Sequence, residues 1–375
     1  MSISAQVYLV GAGPGHADLL TLRAVECLSQ ADFVLYDRLV SRRILQFCAQ
    51  AETLCVEELA PTHPERWPLI HEKLIEQARL GKCVVRLKGG DPSLFGHSGE
   101  ETQALREAGI SFEIVPGVTA ALGAAAFAGF PLTHREHASS VALVTGHEDP
   151  NKPSSLLDWE ALARFPGTLV FYMGLRRLSE ISDALIENGK SPSTPAAMIH
   201  CATLGTQRVI QGTLETLPAL QNEAKLTVPT LTVIGSVIDL RPARSWFEQR
   251  PFLGKRIVIT RPSHQTADLL QELEQLGALP YSLPIVEIVE PGDWTPVDEA
   301  LSRLSEFQWI VFTSANGVHA FLRRLRNQNL DLRALGHCQL AVIGPATAKT
   351  LREYHLEPDV MPTQFISEDL VYELM

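Results

Sequence analysis

The chain has 375 residues, more than one hydrophobic core usually supports, so two or three domains are expected. Hydrophobic residues make up 45% and charged residues 20%, with 25 Gly and 24 Pro, a composition that excludes disordered and collagen-like classes. The net charge of −11 repels phosphate backbones and anionic bilayers, which argues against nucleic acid or a membrane as partner and leaves a compact ligand in a locally basic pocket.

The N-terminal residues lack a basic stretch and a cleavable apolar segment and run into a strand, QVYLV, so no signal peptide is inferred and a cytoplasmic location is expected. A helix from Leu20 to Ser29, FVLY, a helix from Leu69 to Leu80, VVRL and a helix from Glu100 to Ala108 follow. That alternation predicts a parallel sheet with helical crossovers. Ile114 to Leu132 carries no charge, but Pro116, Pro131 and its many Ala and Gly make it a loop and a closely packed helix rather than a bilayer span. Strands beginning at Ser140, Thr168, Ala196, Arg208 and Thr230 continue the rhythm. Interruptions at His134–His137 and Pro150–Pro153 divide this part into lobes of residues 1–137 and 138–241.

Residues 242–254 contain Pro242, Pro251 and Gly254, show no period and read as a linker. RIVIT and a helix from His264 to Leu276 restart the alternation, and WIVFTSANGVHAFL and LAVIGPATAKTLRE repeat it, making 255–375 a further α/β segment. The six cysteines, Cys27, Cys48, Cys55, Cys83, Cys201 and Cys338, form no CxxC pair and read as thiols in a reducing cytosol. His16, His134, His137, His147 and His200 lack metal-ligand spacing and read as loop or packing residues, so no metal is expected.

Three strand exits carry glycine-rich loops: Gly11-Ala12-Gly13-Pro14-Gly15, Arg86-Leu87-Lys88-Gly89-Gly90-Asp91-Pro92, and Pro116-Gly117-Val118-Thr119-Ala120. The first departs from a dinucleotide fingerprint, because Gly15 arrives one residue early and Pro14 lacks an N–H for a pyrophosphate, although Asp32 and Asp37 lie near the expected acidic position. Each loop alone could be a tight turn. Three of them in about a hundred residues favour a small-molecule site across the strand ends.

The motifs VGAGPG, YDRLVS, RLKGGDP, FG..GEE, PGVTAA, PLTHR, VTGH and LVFYMG occur in the order found in uroporphyrinogen-III C-methyltransferases, and the chain resembles that family over roughly residues 5–241. The resemblance implies the two-lobed tetrapyrrole methyltransferase fold and S-adenosyl-L-methionine as methyl donor. It also implies a small-molecule tetrapyrrole substrate, uroporphyrinogen III, methylated at C2 and C7 to precorrin-2 for sirohaem and cobalamin synthesis, and the homodimer common among relatives. It places Pro14, Gly89, Gly90, Asp91, Leu94, Thr119, Ala120, Met173 and Ala202 against the donor, with Ala202 where relatives often have Gly. Asp37 matches the proposed proton acceptor; without the family it would read as a helix N-cap or a partner of Arg38. With Asp37, the residues His97, Glu100 and Arg135 are the expected catalytic set on the substrate side, and Arg38, Arg86, Lys88 and Arg135 are the expected basic lining for a substrate with eight carboxylates. A lone Arg is more often a surface charge.

The family's GRGGEE stands here as Gly96-His97-Ser98-Gly99-Glu100-Glu101, so histidine replaces an arginine. Glu57-Glu58-Leu59 occupies the place of the family's glycine-lysine pair, and Trp67 and His71 stand where Gln and Asn are usual. These departures leave two alternatives open, another precorrin methyltransferase and a non-catalytic tetrapyrrole-binding protein; a nicotinamide dehydrogenase is the weakest rival. From about Lys255 the chain resembles uroporphyrinogen-III synthase in part, an α/β segment expected to be incomplete and to have little synthase activity. Thr313, Ser314 and Asn316 would face its substrate or, equally, cap the following helix.

Overall fold

From β1 (Val7–Gly11) onward the chain alternates strand and helix in a computed structural model that describes residues 6–59, 66–147, 156–262 and 266–374. The order is α1 (Leu22–Ser29), β2 (Phe33–Tyr36), β3 (Glu52–Cys55), α2 (Val56–Leu59), α3 (Arg66–Arg79), β4 (Val84–Lys88), α4 (Ser98–Glu107), β5 (Phe112–Val115) and α5 (Ala120–Ala128). The five strands form one parallel sheet in the order β3-β2-β4-β1-β5. Alternation along β1, β2 and β4 sends Tyr8, Val10, Val34, Val85 and Leu87 to the face covered by α1, and Val7, Leu9, Phe33, Leu35 and Val84 to the face covered by α3 and α4. Thr21 starts α1 by accepting a hydrogen bond from Ala24 N.

The second lobe runs β6 (Val141–Thr145), α6 (Trp159–Arg164), β7 (Thr168–Tyr172), α7 (Leu178–Glu187), β8 (Pro195–His200), β9 (Arg208–Thr213), α8 (Leu217–Ala224) and β10 (Thr230–Ile234). Its sheet has the order β6-β7-β10-β8-β9, and only β6 and β7 are parallel. β7 and β8 both run antiparallel to β10 and so in the same direction, and the parallel rhythm read from the sequence stops at β8. The reason is the short 201–207 connection, which can turn β8 back into antiparallel β9 but is too short for a helical crossover. The apolar face of α5 covers this second sheet through Ala121, Ala124, Ala125 and Ala128 against Val170, Ala197, Ile199 and Val233.

Residues 242–254 are aperiodic, as expected, but they are packed and not a free linker. Phe247 and Ser245 are fully buried, Trp246 Nε1 donates to Ala126 O at 2.9 Å, and Arg241 Nε donates to Ala128 O at 2.9 Å. Next come β11 (Arg256–Ile259), α9 (Ala267–Gln275) and β12 (Leu279–Ser282), with β11 and β12 paired in parallel. The expected helix start at His264 and the break at Pro150–Pro153 lie outside the described residues.

The chain divides into two compact units, Met1–Val286 and Glu287–Met375. The second unit holds α10 (Thr295–Ser302), β13 (Trp309–Phe312), α11 (Ala315–Asn327), β14 (Gln339–Val342), α12 (Pro345–Glu353) and α13 (Ser367–Leu374), with β13 and β14 parallel over a core of Phe312, Val318, Leu322, Leu340 and Leu351. There Ser314 Oγ accepts from Gly317 N at 3.1 Å and caps α11. Among the described residues no helix is long and apolar enough to cross a membrane, and no cluster of three or more His, Cys, Asp or Glu could hold a metal ion.

Candidate active site

The carboxyl ends of β1, β2, β4 and β5 form one edge of the first sheet, where open parallel α/β sheets bind ligands. Glycine allows these exits to touch. A Cβ on Gly117 would lie 2.3 Å from Gly90 O and 2.9 Å from Gly11 Cα, so the three loops meet backbone to backbone. Gly13 and Gly90 exchange two hydrogen bonds, of 3.1 and 2.8 Å. Asp91 Oδ2 accepts from Gly117 N at 2.9 Å and its Oδ1 from Ser93 N at 2.8 Å, so this carboxylate ties two loops together. Gly89 is different: a Cβ there would meet nothing within 4 Å, leaving its backbone open to a ligand.

Asp37 follows β2, and its backbone N donates to Leu87 O at 3.1 Å. Its partner is Arg86, not Arg38: Arg86 Nη2 donates to Asp37 Oδ1 at 2.5 Å. Arg86 is 1% exposed, and its Nε donates to Glu101 Oε1 at 3.0 Å while Nη1 reaches Leu87 O at 3.2 Å and Leu35 O at 3.4 Å. Lys88 Nζ stands 2.7 Å from Glu101 Oε2, completing a chain of alternating charge from Asp37 to Lys88. Arg86 and Lys88 were expected to line the cleft; they are buried behind it, because β4 is the central strand and α4 covers the face to which both point. Burial pulls the Arg86 guanidinium down, and the Asp37 and Glu101 carboxylates outweigh it, leaving it above its ordinary value. Lys88 goes the other way, lowered by burial and then by Arg86.

The second lobe closes on this edge through Tyr172. Its hydroxyl accepts from Ala121 N at 2.9 Å and lies 2.6 Å from Thr119 Oγ1, at the start of α5, and its ring sits 5.0 Å from that of Phe95. Burial raises the Tyr172 hydroxyl above its usual pKa. Met173 follows, half exposed, with φ 56°. Phe95, His97, Cys201 and Thr203 share such left-handed backbone, which costs non-glycine residues energy and gathers where geometry is imposed. Pro14 rests on Gly123, where a Cβ would lie 2.5 Å from Pro14 Cγ, and His16 N donates to Thr203 Oγ1 at 3.0 Å, beside Ala202. Of the residues the resemblance sets against the donor, Pro14, Gly90, Asp91 and Thr119 enter these contacts directly, Leu94 N donates to Asp91 O at 3.3 Å, Gly89, Met173 and Ala202 are each next to a residue that does, and Ala120 is the first residue of α5.

The His97 ring packs at a tilt of 37° against Trp67, with centroids 4.2 Å apart, and its Nδ1 lies 3.1 Å from Glu100 Oε1. Backbone hydrogen bonding and then His97 hold the Glu100 carboxyl below its usual value. Glu57, in the Glu57-Glu58-Leu59 stretch that stands in place of the family's glycine-lysine pair, has Arg38 and Arg66 each 4.0 Å from Oε1. Arg135 is exposed on the turn before β6 and joined to this group by no described contact. Sequence reasoning missed Glu101 and Tyr172. The signal for Glu101 was two cations, i and i+2, in an otherwise apolar strand, which call for a buried anion on the helix that follows.

Fold and site define an α/β enzyme of two lobes whose glycine-lined strand ends face a carboxylate held by a buried guanidinium. The sequence matches the tetrapyrrole (corrin/porphyrin) methylases over residues 6–218 and uroporphyrinogen-III synthase HemD over residues 267–375. The chain belongs to the tetrapyrrole methylase family, fused to a segment of the synthase family, and is a methyltransferase. It is 39% identical over 360 residues to a porphyrin biosynthesis protein HemD of Ruminiclostridium josui, covering 96% of this chain and 71% of that one. It is 40% identical over 335 residues to a uroporphyrinogen-III C-methyltransferase of Bacillus subtilis, covering 88% and 68%. The crystal structure of a Thermus thermophilus uroporphyrin-III C-methyltransferase complexed with S-adenosylhomocysteine is 37% identical, with a TM-score of 0.54, covering 63% of this chain and 94% of that one.

Proposed function

We propose that this protein methylates uroporphyrinogen III at C2 and C7, giving precorrin-2, with S-adenosyl-L-methionine as donor. The donor supplies an already activated methyl group on a sulfonium, so the protein's work is alignment and removal of one proton for each methyl gained. The Gly11, Gly90 and Gly117 exits fix the backbone of the donor site, the open face of Gly89 gives it room, and Tyr172 holds the start of α5 against the second lobe. Asp37 accepts the proton, because the Arg86 fork fixes its carboxylate at the mouth of the edge. His97, Glu100 and Arg135 serve the substrate side, where exposed polar groups meet a polycarboxylate.

The observation that carries this reading is Asp37 gripped by a fully buried arginine beside three mutually packed glycine exits. Glu57 supports a second reading, a different tetrapyrrole of the same family, because it places an anion between Arg38 and Arg66 where substrate carboxylates would approach. One experiment tests both: incubation with uroporphyrinogen III and methyl-labelled S-adenosylmethionine, followed by product mass and labelled-carbon assignment. Two labels, on C2 and C7, are expected. No label refutes the reaction on this substrate, and label on other carbons refutes the positional assignment.

A further inference from the structure

The structure assigns residues 243–262 and 266–286, which include the opening of the synthase-like segment, a second role as a clamp on the donor loops of the methyltransferase. This inference rests on the reading that those loops bind an S-adenosyl compound. Three contacts carry it. First, Gly205 has no room for a side chain, since a Cβ would lie 2.6 Å from Ala278 O, and its carbonyl accepts from Gly254 N at 2.8 Å. The loop Cys201–Gln207 is therefore pinned by the appended segment on one side while Thr203 Oγ1 accepts from His16 N on the other. Second, Arg43 Nε donates to Glu274 Oε2 at 2.9 Å, an ion pair with side chains 17% and 21% exposed that joins the first lobe to α9. Third, Phe247 and Trp246 seat their rings 4.8 Å from Phe127, at the far end of the helix that Thr119 begins, with the Arg250 guanidinium above both.

The junction is continuous. Gly15, His16, Thr203, Gly205, Phe247, Glu274 and Ala278 surround a cavity of about 40 Å³, too small for a nucleoside, so it is a seam between packed parts and not the donor site itself. Arg43 and Glu274 are positioning residues that touch neither substrate nor donor; they act through His16 and Thr203 on the Gly13–Gly15 and Cys201–Gln207 loops.

The test uses the full chain with Glu274→Arg, which sets like charge against Arg43, with Gly205→Val, which displaces Ala278, and with the swapped pair Arg43→Glu/Glu274→Arg. Calorimetry with S-adenosylhomocysteine, KM and kcat for methyl transfer, and hydrogen exchange at the His16 and Thr203 amides are measured on each. The two single variants should weaken S-adenosylhomocysteine binding and raise the donor KM about fivefold or more, with faster exchange at both amides, and the swapped pair should restore them. A purely structural role would lower thermal stability without this KM shift or its rescue. Unchanged affinity and exchange in folded Glu274→Arg and Gly205→Val would overturn the clamp alone. Failure of the unsubstituted chain to bind S-adenosylhomocysteine would instead overturn the donor-site reading, and the clamp with it.

Discussion

Replacing Arg86 with Met removes the guanidinium that links Asp37 to Glu101 and separates two consequences that the wild-type chain combines. Breaking a buried ion pair by deleting one partner costs about 3–5 kcal/mol, because the remaining charge is left uncompensated. The two carboxylates do not share that loss equally. Glu101 is fully buried and, among the described residues, keeps Lys88 as its ion-pair partner, whereas Asp37 has a side chain 34% exposed and can recruit water, so most of the stability loss belongs to Glu101. With an unfolding entropy of about 2.1 cal/mol/K per residue over the unit Met1–Val286, the melting temperature should fall by roughly 5–8 °C. Asp37 loses its fixed orientation instead, and kcat should fall about 10²-fold, the contribution of a positioned general base. Adding Glu101→Gln to Arg86→Met removes the stranded anion, and Lys88, already disfavoured as a cation by burial, can shed its proton. The double variant should therefore regain most of the stability and little of kcat. Thermal unfolding and steady-state methyl transfer, measured on the same preparations, decide it. If kcat returns together with stability in the double variant, Arg86 serves the fold and the account of Asp37 is wrong.

The glycines allow a second separation: Gly117→Ala forces a Cβ onto Gly90 O and should cost about 1–3 kcal/mol, while Gly89→Ala should leave unfolding unchanged and weaken S-adenosylhomocysteine binding, as calorimetry would report. Tyr172→Phe strands the Ala121 N–H and the Thr119 hydroxyl and should destabilise by about 1–3 kcal/mol in urea unfolding, with a loss near zero refuting the bridge at the start of α5. Burial lowers His16 and His71 below the ordinary histidine value of 6.5, so below that pH the unfolded chain binds protons that the folded chain refuses. Stability should decline as pH falls from 6.5 through the lowered folded values, and His16→Asn with His71→Gln should flatten that part of the urea-midpoint profile; an unchanged slope would exclude both groups.

Local periodicity made the first lobe legible. Strand alternation in QVYLV, FVLY and VVRL is a property of neighbours in sequence, and both faces of the sheet follow it. The second sheet was less readable because pairing direction depends on connection length: the 201–207 turn forces an antiparallel return that the composition of β8 and β9 does not reveal. The packed state of 242–254 was hidden for a related reason. Its Pro, Gly and Arg content marks a segment without regular structure, but whether such a segment is solvated depends on a distant surface, here Ala126, Phe127 and Ala128 at the end of α5.

The same distinction governs the site. Glycine exits can be found in sequence because each announces a local backbone demand, but Arg86 and Lys88 announce only that a strand contains two cations. Spaced by two, they point to one face, and that face of the central strand must be covered. Helix α4 covers it and follows β4 directly, and Glu101 precedes Leu105 by one helical turn on its buried stripe. A buried anion at Glu101 is therefore what makes two cations tolerable in β4, and reach then decides their roles. The longer, forked arginine extends to the tip of β2 and holds Asp37, while the lysine at the strand end closes the charge balance on Glu101. Reading these cations as cleft lining took charge to mean exposure; in a strand with neighbours on both edges, it means a partner elsewhere in the chain.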